Sequence, residues 1–354
     1  MANVHSYFIQ FHQNIKLDYD DNKVLRDKRE ELLTLLKDNM PSSASTFSIF
    51  HQGSYAMHTG IKPLDGGDYD IDVGLLFDIS KDDYANPIDV KMWVYNALEN
   101  HSDEVKMKHP CVTVTFIDSD TNDDGNKEKE YHVDFAIYSN ANSDQKTYLA
   151  KGKLNSDSDH RSWEESDPKT LVDTIKNNST NEKDRQQFRR VIRYMKRWKD
   201  IKFNGEVNRP SGIGFTVAAL THFVPKSYHD WISNITYYND LDALITYVNN
   251  MINAFYMTIN AQGEIENRLA INLPTPPYSD VYEKMSGTQM KRFKEKLEEL
   301  LEKLEEARDE IDPVVACGTL QKMFGDDFPV PSESETAEQK NLSIMVDHSS
   351  AYIK

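Results

Sequence analysis

Three aspartates are spaced so that their carboxylates could act together. Asp70 and Asp72 stand two apart in Tyr69-Asp70-Ile71-Asp72-Val73-Gly74-Leu75, and Asp134 lies within the later run Tyr131 to Tyr138. On a strand, side chains two apart point the same way, about 7 Å apart along the chain, so this pair is expected to converge on one ion. A third aspartate on a neighbouring strand would complete a hard-oxygen cluster of the kind that holds Mg²⁺ and keeps places for water and phosphate oxygens. Without a cation, three such charges on one sheet face repel one another. Sixteen residues before Asp70, Gly53-Ser54 ends an alternating run. Glycine lets backbone N–H groups approach a phosphate closely, and the serine hydroxyl adds a donor. A triphosphate held there would be set for in-line attack on its α-phosphorus, with two metal ions serving the attacking and leaving oxygens. Singly, an Asp-x-Asp is common on solvated strand edges and a Gly-Ser is a turn. Their conjunction, with the pair on an otherwise apolar strand, carries the reading.

A second group is cationic. Arg189, Arg193 and Lys196 recur at spacings of four and three and share a helical face, flanked by Arg197 and Lys199. Phe188, Val191, Ile192 and Met195 make the other side apolar, so the helix is expected to pack on one side and show charge on the other. Ser211 follows Pro210 and reads as an N-cap, and a helix N-terminus offers N–H groups and positive potential to phosphate. The competing readings are a solvated stripe paired with the many acids, and simple capping. With Asp70 and Asp72 present, Lys196 and Ser211 are favoured as a triphosphate clamp, Lys199 is a further candidate, and Arg189 is left unassigned.

The elements that must position these groups follow from periodicity. Residues 21–38 read as a helix that Asp21 could cap, and Thr46 to Phe50 alternates like a strand. Tyr69 to Leu75 puts Ile71 and Val73 on one face and the aspartates on the other. Residues 88–99 read as a helix. Val112 to Ile117 and Tyr131 to Tyr138 read as strands of a hairpin joined by an Asp/Asn/Gly loop. The second half is mostly helical: one helix starting at Asp167-Pro168, then Asp184–Asp200, Ser211–Val224, and Asp240–Met257. Pro274, Pro276 and Pro277 read as a stiff linker. Beyond it, Met290, Phe293, Leu297, Leu300, Leu301, Leu304 and Ile311 share a helical face, expected to dock on its own domain in preference to a coiled-coil partner. Ser332 to Lys340 reads as a mobile tail.

With 354 residues, 41 Lys and Arg against 58 Asp and Glu, and a net charge of −17, the chain is too large for one ordinary core. It is also too acidic to grip duplex DNA or an anionic membrane through a general basic surface. Cys111 and Cys317 are too few for a disulfide framework or a four-cysteine zinc site, and point to a reducing compartment. No apolar run has the roughly 18 residues of a membrane span, and Met1 to Phe11 lacks the layout of a signal peptide, so a cytoplasmic location is expected. Asp120-x-Asn122-x-Asp124-Gly125 imitates the start of a calcium loop, but Tyr131 stands where its bidentate glutamate is needed. His51 and His132 read as sheet residues, and Cys111 has no activating partner in sight.

At Gly53-Ser54-Tyr55, Asp68-Tyr69-Asp70-Ile71-Asp72-Val73-Gly74-Leu75 and Val133-Asp134-Phe135 the chain resembles the nucleotidyltransferases of the polymerase-β-like superfamily. Within it the chain is most similar to the bacterial cGAS/DncV-like nucleotidyltransferases (CD-NTases), the oligonucleotide cyclases of CBASS anti-phage systems. Trp163 to Pro168, Tyr194 to Lys199, Arg209 to Gly212 and Asp280 to Ser286 extend the likeness over most of the chain. The resemblance implies an α+β, two-lobe fold: a nucleotidyltransferase core with an N-terminal helix over residues 1–165, a helical lobe over 166–330 and a tail over 331–354. The N-terminal helix would cross both lobes, with the active site in the cleft between them. It implies Asp70, Asp72 and Asp134 as catalytic metal ligands for two Mg²⁺ ions, with Mn²⁺ as a substitute, and Asp134 as the base-like partner of the attacking ribose hydroxyl. Gly53 and Ser54 would hold the donor nucleotide's phosphates, and Lys196 and Ser211 its terminal phosphates.

The activity implied is condensation of ATP, and of GTP or other nucleoside triphosphates, into a cyclic di- or trinucleotide second messenger with release of pyrophosphate. A ubiquitin-like conjugation pair or a HORMA protein would be the regulatory partner, although the terminal Tyr352-Ile353-Lys354 does not end in the small residue that conjugation favours. A linear oligonucleotide synthetase, a nucleotidylating toxin acting on RNA or protein, and a nucleotide-binding regulatory pseudoenzyme are the alternatives. The base-stacking residue is open among Tyr55, Tyr237 and Tyr238, the last two reading equally as buried structural tyrosines.

Overall fold

Alternation along two strands divides the central sheet into an apolar face and a carboxylate face. In the computed structural model, which describes residues 4–17, 23–64, 67, 69–100, 103–118, 129–207, 209–260 and 262–332, the chain forms two compact units. One comprises residues 17–178 and 272–280; the other takes the remainder. The first helix, α1 (His5–Ile15), belongs to the second unit.

The sheet unit runs α2 (Lys23–Asn39), β1 (Phe47–His51), α3 (Gly53–Ala56), β2 (Tyr69–Phe77), α4 (Pro87–Leu98), β3 (Glu104–Met107), β4 (Val112–Asp118), β5 (Lys129–Ser139), β6 (Tyr148–Lys151), β7 (Ser162–Glu165) and α5 (Pro168–Lys176). Its strands lie in the order β1-β2-β5-β4-β3, with β6 added to β5 and β7 to β6. The sheet is mixed, since β2 and β5 are parallel whereas β4 and β5 form the expected antiparallel pair. Ile71, Val73, Leu75 and Phe77 of β2, Val133, Phe135 and Ile137 of β5, and Val112 and Val114 of β4 are buried in one core with Leu32 and Leu36 of α2 and Val90 and Val94 of α4. Each such side chain contributes about 1.5–3 kcal/mol by leaving water, and that sum fixes which face the polar residues between them must occupy. Asn86 caps α4, which has Pro87 in its first turn, and Asp167 caps α5 ahead of Pro168.

The helical unit adds to α1 the helices α6 (Glu182–Lys202), α7 (Gly212–His222), α8 (Asp240–Asn253), α9 (Gly287–Asp309) and α10 (Pro313–Phe324). It also contains the hairpins β8 (Ser227–Asp230) with β9 (Ile235–Tyr238) and β10 (Tyr256–Ile259) with β11 (Ile265–Arg268). The apolar stripe of α9 (Met290, Phe293, Leu297, Leu300, Leu304) is buried within this unit, where α9 packs on α8 and α10. Ile311 lies past the helix end and is exposed. The helix expected to reach Met257 stops at Asn253, because Tyr256 to Ile259 pair with β11. The stripe of cations on α6 is not displayed to water: Arg193, Lys196 and Arg197 are 9%, 8% and 1% exposed. The helices α1, α7, α8 and α10 all pack against α6. Phe8 and Phe11 of α1 interlock with Tyr194, Phe324 and Phe328 at centroid separations of 5.1–6.3 Å, which ties the N-terminal segment into this unit.

Buried charge here is paired. Arg190 grips Asp240 through Nε to Oδ2 (2.6 Å) and Nη2 to Oδ1 (2.8 Å), and Tyr194 and Gln187 donate to the same carboxylate. Burial alone would raise the Asp240 carboxyl, and these bonds outweigh it and hold it below its ordinary value. No helix among the described residues is long and apolar enough to cross a membrane. The Asp21 cap, Asp68, the 120–125 loop and the tail from 333 onward, including residues 352–354, lie outside the described residues.

His12 of α1 accepts a hydrogen bond from Arg193 Nη1 at 3.0 Å. Burial, followed by the charges of Arg193, Arg190 and Lys16, lowers its pKa to about 3. An unfolded imidazole takes its proton near pH 6.5, so between there and about 3 the unfolded chain binds the extra proton and stability falls as pH falls. Denaturant unfolding across this window is expected to show that loss, on the order of a few kcal/mol, and His12→Gln to flatten it.

Candidate active site

The carboxylate face is built by strand register. Asp72 of β2 lies directly across from Asp134 of parallel β5, and Asp134 directly across from Thr113 of antiparallel β4. One pleat toward the start of the strands, Asp70, His132 and Thr115 form the next row. Neighbouring strands lie about 4.8 Å apart, so Asp72 and Asp134 share one patch of the face that the apolar core does not use. Asp70 is exposed, whereas Asp72 and Asp134 are partly covered.

The Gly-Ser turn meets this patch from β1. Gln52 N–H donates to the Asp72 carbonyl, and Gly53, at φ +65°, opens the single turn α3. A Cβ on Gly53 would sit 1.9 Å from Asp72 Oδ2, so only glycine lets the backbone lie against that carboxylate. Gly53 and Ser54 carry the first amides of α3. Deeper on the same face, Phe50 lies over Gly74, where a Cβ would come within 2.2 Å of its ring. The Tyr138 hydroxyl donates to Gln52 Oε1 at 2.8 Å, and burial pushes the Tyr138 pKa up, with the Asp72 charge adding to it. These contacts plug the sheet beyond the aspartates and fix the residue preceding Gly53.

Asp134 Oδ1 accepts from the Thr113 hydroxyl at 2.5 Å and stands 3.7 Å from Lys108 Nζ. Asp70 Oδ1 is 3.9 Å from His132 Nδ1. Strand register thus brings the three expected metal ligands to one face, but among the described residues no three acidic, histidine or cysteine side chains converge closely enough, as placed, to enclose an ion. Thr113, Lys108, Gln52 and Tyr138 escaped the sequence reading. For Thr113 the signal was present: in Val112-Thr113-Val114-Thr115-Phe116 the threonines alternate with the core residues and must share the aspartates' face.

In the helical unit, Ser211 caps α7 by accepting from Gly214 N–H at 3.2 Å. The Lys196 chain crosses the same helix start, its Cε 3.5 Å from where a Gly212 Cβ would be. Lys196 and Ser211 are therefore neighbours. Lys199 turns instead to Asp200 at 2.9 Å, and Asp200 is also 3.8 Å from Arg209. Arg189 pairs with Glu182. Of the aromatic candidates, Tyr55 packs edge-on against His51 with the Arg29 guanidinium 5.9 Å from its ring. Tyr237 stacks on Tyr228 in an exposed hairpin, and the Tyr238 hydroxyl donates to Asp184. Burial, followed by the charge of Asp134, pushes the Cys111 thiol up to about 12, so it is no nucleophile.

A family model described as the nucleotidyltransferase domain of the DncV-like cyclic GMP-AMP synthases matches residues 47–138, which run from β1 to β5 and hold every aspartate of the patch. A cyclic GMP-AMP synthase of Escherichia albertii is 31% identical over 185 residues, which is 50% of this chain and 37% of that relative. Among solved structures, the Vibrio cholerae DncV cyclic AMP-GMP synthase superposes with a TM-score of 0.61 at 18% identity, covering 92% of this chain and 97% of that one. E. coli MS115-1 CdnC with ATP gives 0.62 at 17%, covering 92% and 98%. The Bradyrhizobium diazoefficiens CD-NTase CdnG with GTP gives 0.63 at 14%, covering 92% and 96%. Residues 47–138 are thus a DncV-like nucleotidyltransferase domain, in a chain whose α+β fold is that of these proteins.

The Gly53 contact is testable. Gly53→Ala is expected to push the Asp72 carboxylate aside and to weaken binding of a non-hydrolysable nucleoside triphosphate at least about tenfold by calorimetry, the loss of roughly one charge-assisted hydrogen bond. Gly205→Ala, also at positive φ (+72°) but facing open space, is expected to leave binding unchanged.

Proposed function

We propose that this chain, built on a DncV-like nucleotidyltransferase domain, joins nucleoside triphosphates into a cyclic di- or trinucleotide and releases pyrophosphate. The observation that carries the reading is the direct pairing of Asp72 with Asp134, with the Gly53 backbone laid against the Asp72 carboxylate. ATP and GTP are the natural substrates to propose, since solved relatives are described with ATP, with GTP and with the linear intermediate pppA(3′,5′)pG.

The donor set fits a hard divalent cation. Asp70, Asp72 and Asp134 offer only oxygen, on one face, beside a glycine whose missing side chain leaves room. When bound by these three residues, Mg²⁺, or Mn²⁺ in its place, would neutralise the triphosphate and act as a Lewis acid at the α-phosphate. The chain's own groups do the rest. Gly53 and Ser54 hold the donor phosphates with amides and a hydroxyl. Asp134 takes the proton of the attacking ribose hydroxyl as its oxygen bonds to the α-phosphorus; the bond from that phosphorus to the bridging oxygen breaks, and pyrophosphate leaves with the electron pair. Lys196, at the capped start of α7, is proposed to bind terminal phosphates together with Ser211. Lys199 is the weakest candidate, because Asp200 already engages it.

The role proposed for the product is that of a second messenger in CBASS anti-phage defence, made in the cytoplasm. A HORMA-type or ubiquitin-like conjugation partner would provide regulation, as the described complex of CdnC with a HORMA protein suggests by analogy. The test is incubation of the purified chain with labelled nucleoside triphosphates and Mg²⁺, then phosphatase treatment and mass spectrometry. The expected outcome is a phosphatase-resistant cyclic product and pyrophosphate, reduced at least about 100-fold in Asp70→Asn and Asp72→Asn. Phosphatase-sensitive products would indicate a linear synthetase. Transfer only to added RNA or protein would indicate a toxin. Undiminished activity in the aspartate variants would defeat the mechanism.

A further inference from the structure

Among the described residues, Asp134 is held by one oxygen. The Thr113 hydroxyl donates to Oδ1, the Lys108 ammonium stands nearest the same Oδ1, and among the described residues no hydrogen bond or ion pair engages Oδ2. Thr113 can do this because the β4–β5 register sets it directly across from Asp134, and it is 1% exposed, so water does not compete for its hydroxyl. A buried hydroxyl to a carboxylate is a charge-assisted bond, about twice as strong as a neutral one, and it fixes the plane of the acceptor.

Lys108 is delivered by a different device. Lys91 of α4 is wholly buried, and its ammonium donates to the carbonyls of Lys108 (2.6 Å), His109 (3.1 Å) and Gly152 (2.7 Å). Three donors meet three acceptors, so the cation's hydrogen-bonding capacity is filled by backbone. Gly152 N–H donates to the His109 carbonyl as well. The connection between β3 and β4 is thereby pinned at the two residues before Pro110, and the strand that follows carries Thr113.

We infer that Thr113 is the positioning residue of Asp134, with the Lys108 ammonium as a cation 3.7 Å from the same oxygen: together they fix the carboxylate by Oδ1 and leave Oδ2 to the reacting site. This rests on the nucleotidyltransferase reading for its kinetic consequence, but not for its structural one. A carboxylate free to rotate would offer the ribose hydroxyl a correctly placed oxygen only part of the time, and misplacement of about 1 Å costs up to about 100-fold in rate.

The test compares Thr113→Val, which keeps the shape and removes the hydroxyl, with Thr113→Ser, which keeps the hydroxyl, and Lys108→Gln at the surface. Thr113→Val is expected to lower kcat about 10- to 100-fold with KM for the nucleotide within about twofold. Thr113→Ser should recover to within about threefold and Lys108→Gln should fall between the two. In crystals, Asp134 should hold one orientation on Thr113 in the wild type and Thr113→Ser, and spread over several in Thr113→Val. One unchanged Asp134 orientation in Thr113→Val, or a Thr113→Ser variant as impaired as Thr113→Val, would overturn the inference. Reorientation in the crystals with no pyrophosphate from any form, wild type included, would uphold the positioning and overturn the nucleotidyltransferase reading instead.

Discussion

The register of β2 on β5 is the constraint from which the candidate site follows. Asp72 meets Asp134 only because Ile71 pairs with Val133 and Val73 with Phe135 on the other side of the sheet. Those apolar pairs are buried, so a slip of one residue would expose them and drive the aspartates into the core. Hydrophobic burial therefore sets the position of groups that make no apolar contact themselves. The Gly53 turn depends on the same register, since β1 pairs with β2 up to His51↔Val73 and then releases the chain beside Asp72.

The helical unit solves the opposite problem, that of placing cations where apolar residues dominate. Arg190 is neutralised by Asp240, Arg197 lies 3.1 Å from Asp327, and Arg193 is matched to an imidazole kept neutral. Removing one partner from such a pair costs more than the pair contributes, because the survivor stays buried and unpaired. These groups consequently lock α1, α6 and α8 to one another. The Lys196 chain lies against the N-terminus of α7, where positive potential gathers.

The carboxylate row was legible in the sequence because a period of two, kept over seven residues around Asp70 and Asp72, admits one arrangement of faces. The long helices were legible for the corresponding reason, with caps such as Asp167 and Ser211 marking their starts. Four-residue strands were not: β6, β7 and the hairpins β8–β9 and β10–β11 are too short for periodicity to register, and the first two residues of β10, Tyr256 and Met257, read as the end of the helix before it. The cations of α6 were misjudged because a sequence does not say which other helices will cover a polar stripe. Alternation marked Thr113 as sharing the aspartates' face, but its partner is set by cross-strand pairing, and the placement of Lys108 comes from the buried Lys91 of α4.

Each unit contains a single cysteine, Cys111 in the sheet unit and Cys317 in the helical one. Both are buried, and burial lifts both thiols to about 12, so neither carries an appreciable thiolate in the native chain. Alkylation must then wait for the surrounding unit to open, after which the thiol ionises near its ordinary value of about 8.5. The pair forms a built-in clock: the two modification rates, separated by peptide mapping, would report the opening of each half of the molecule without any label being introduced.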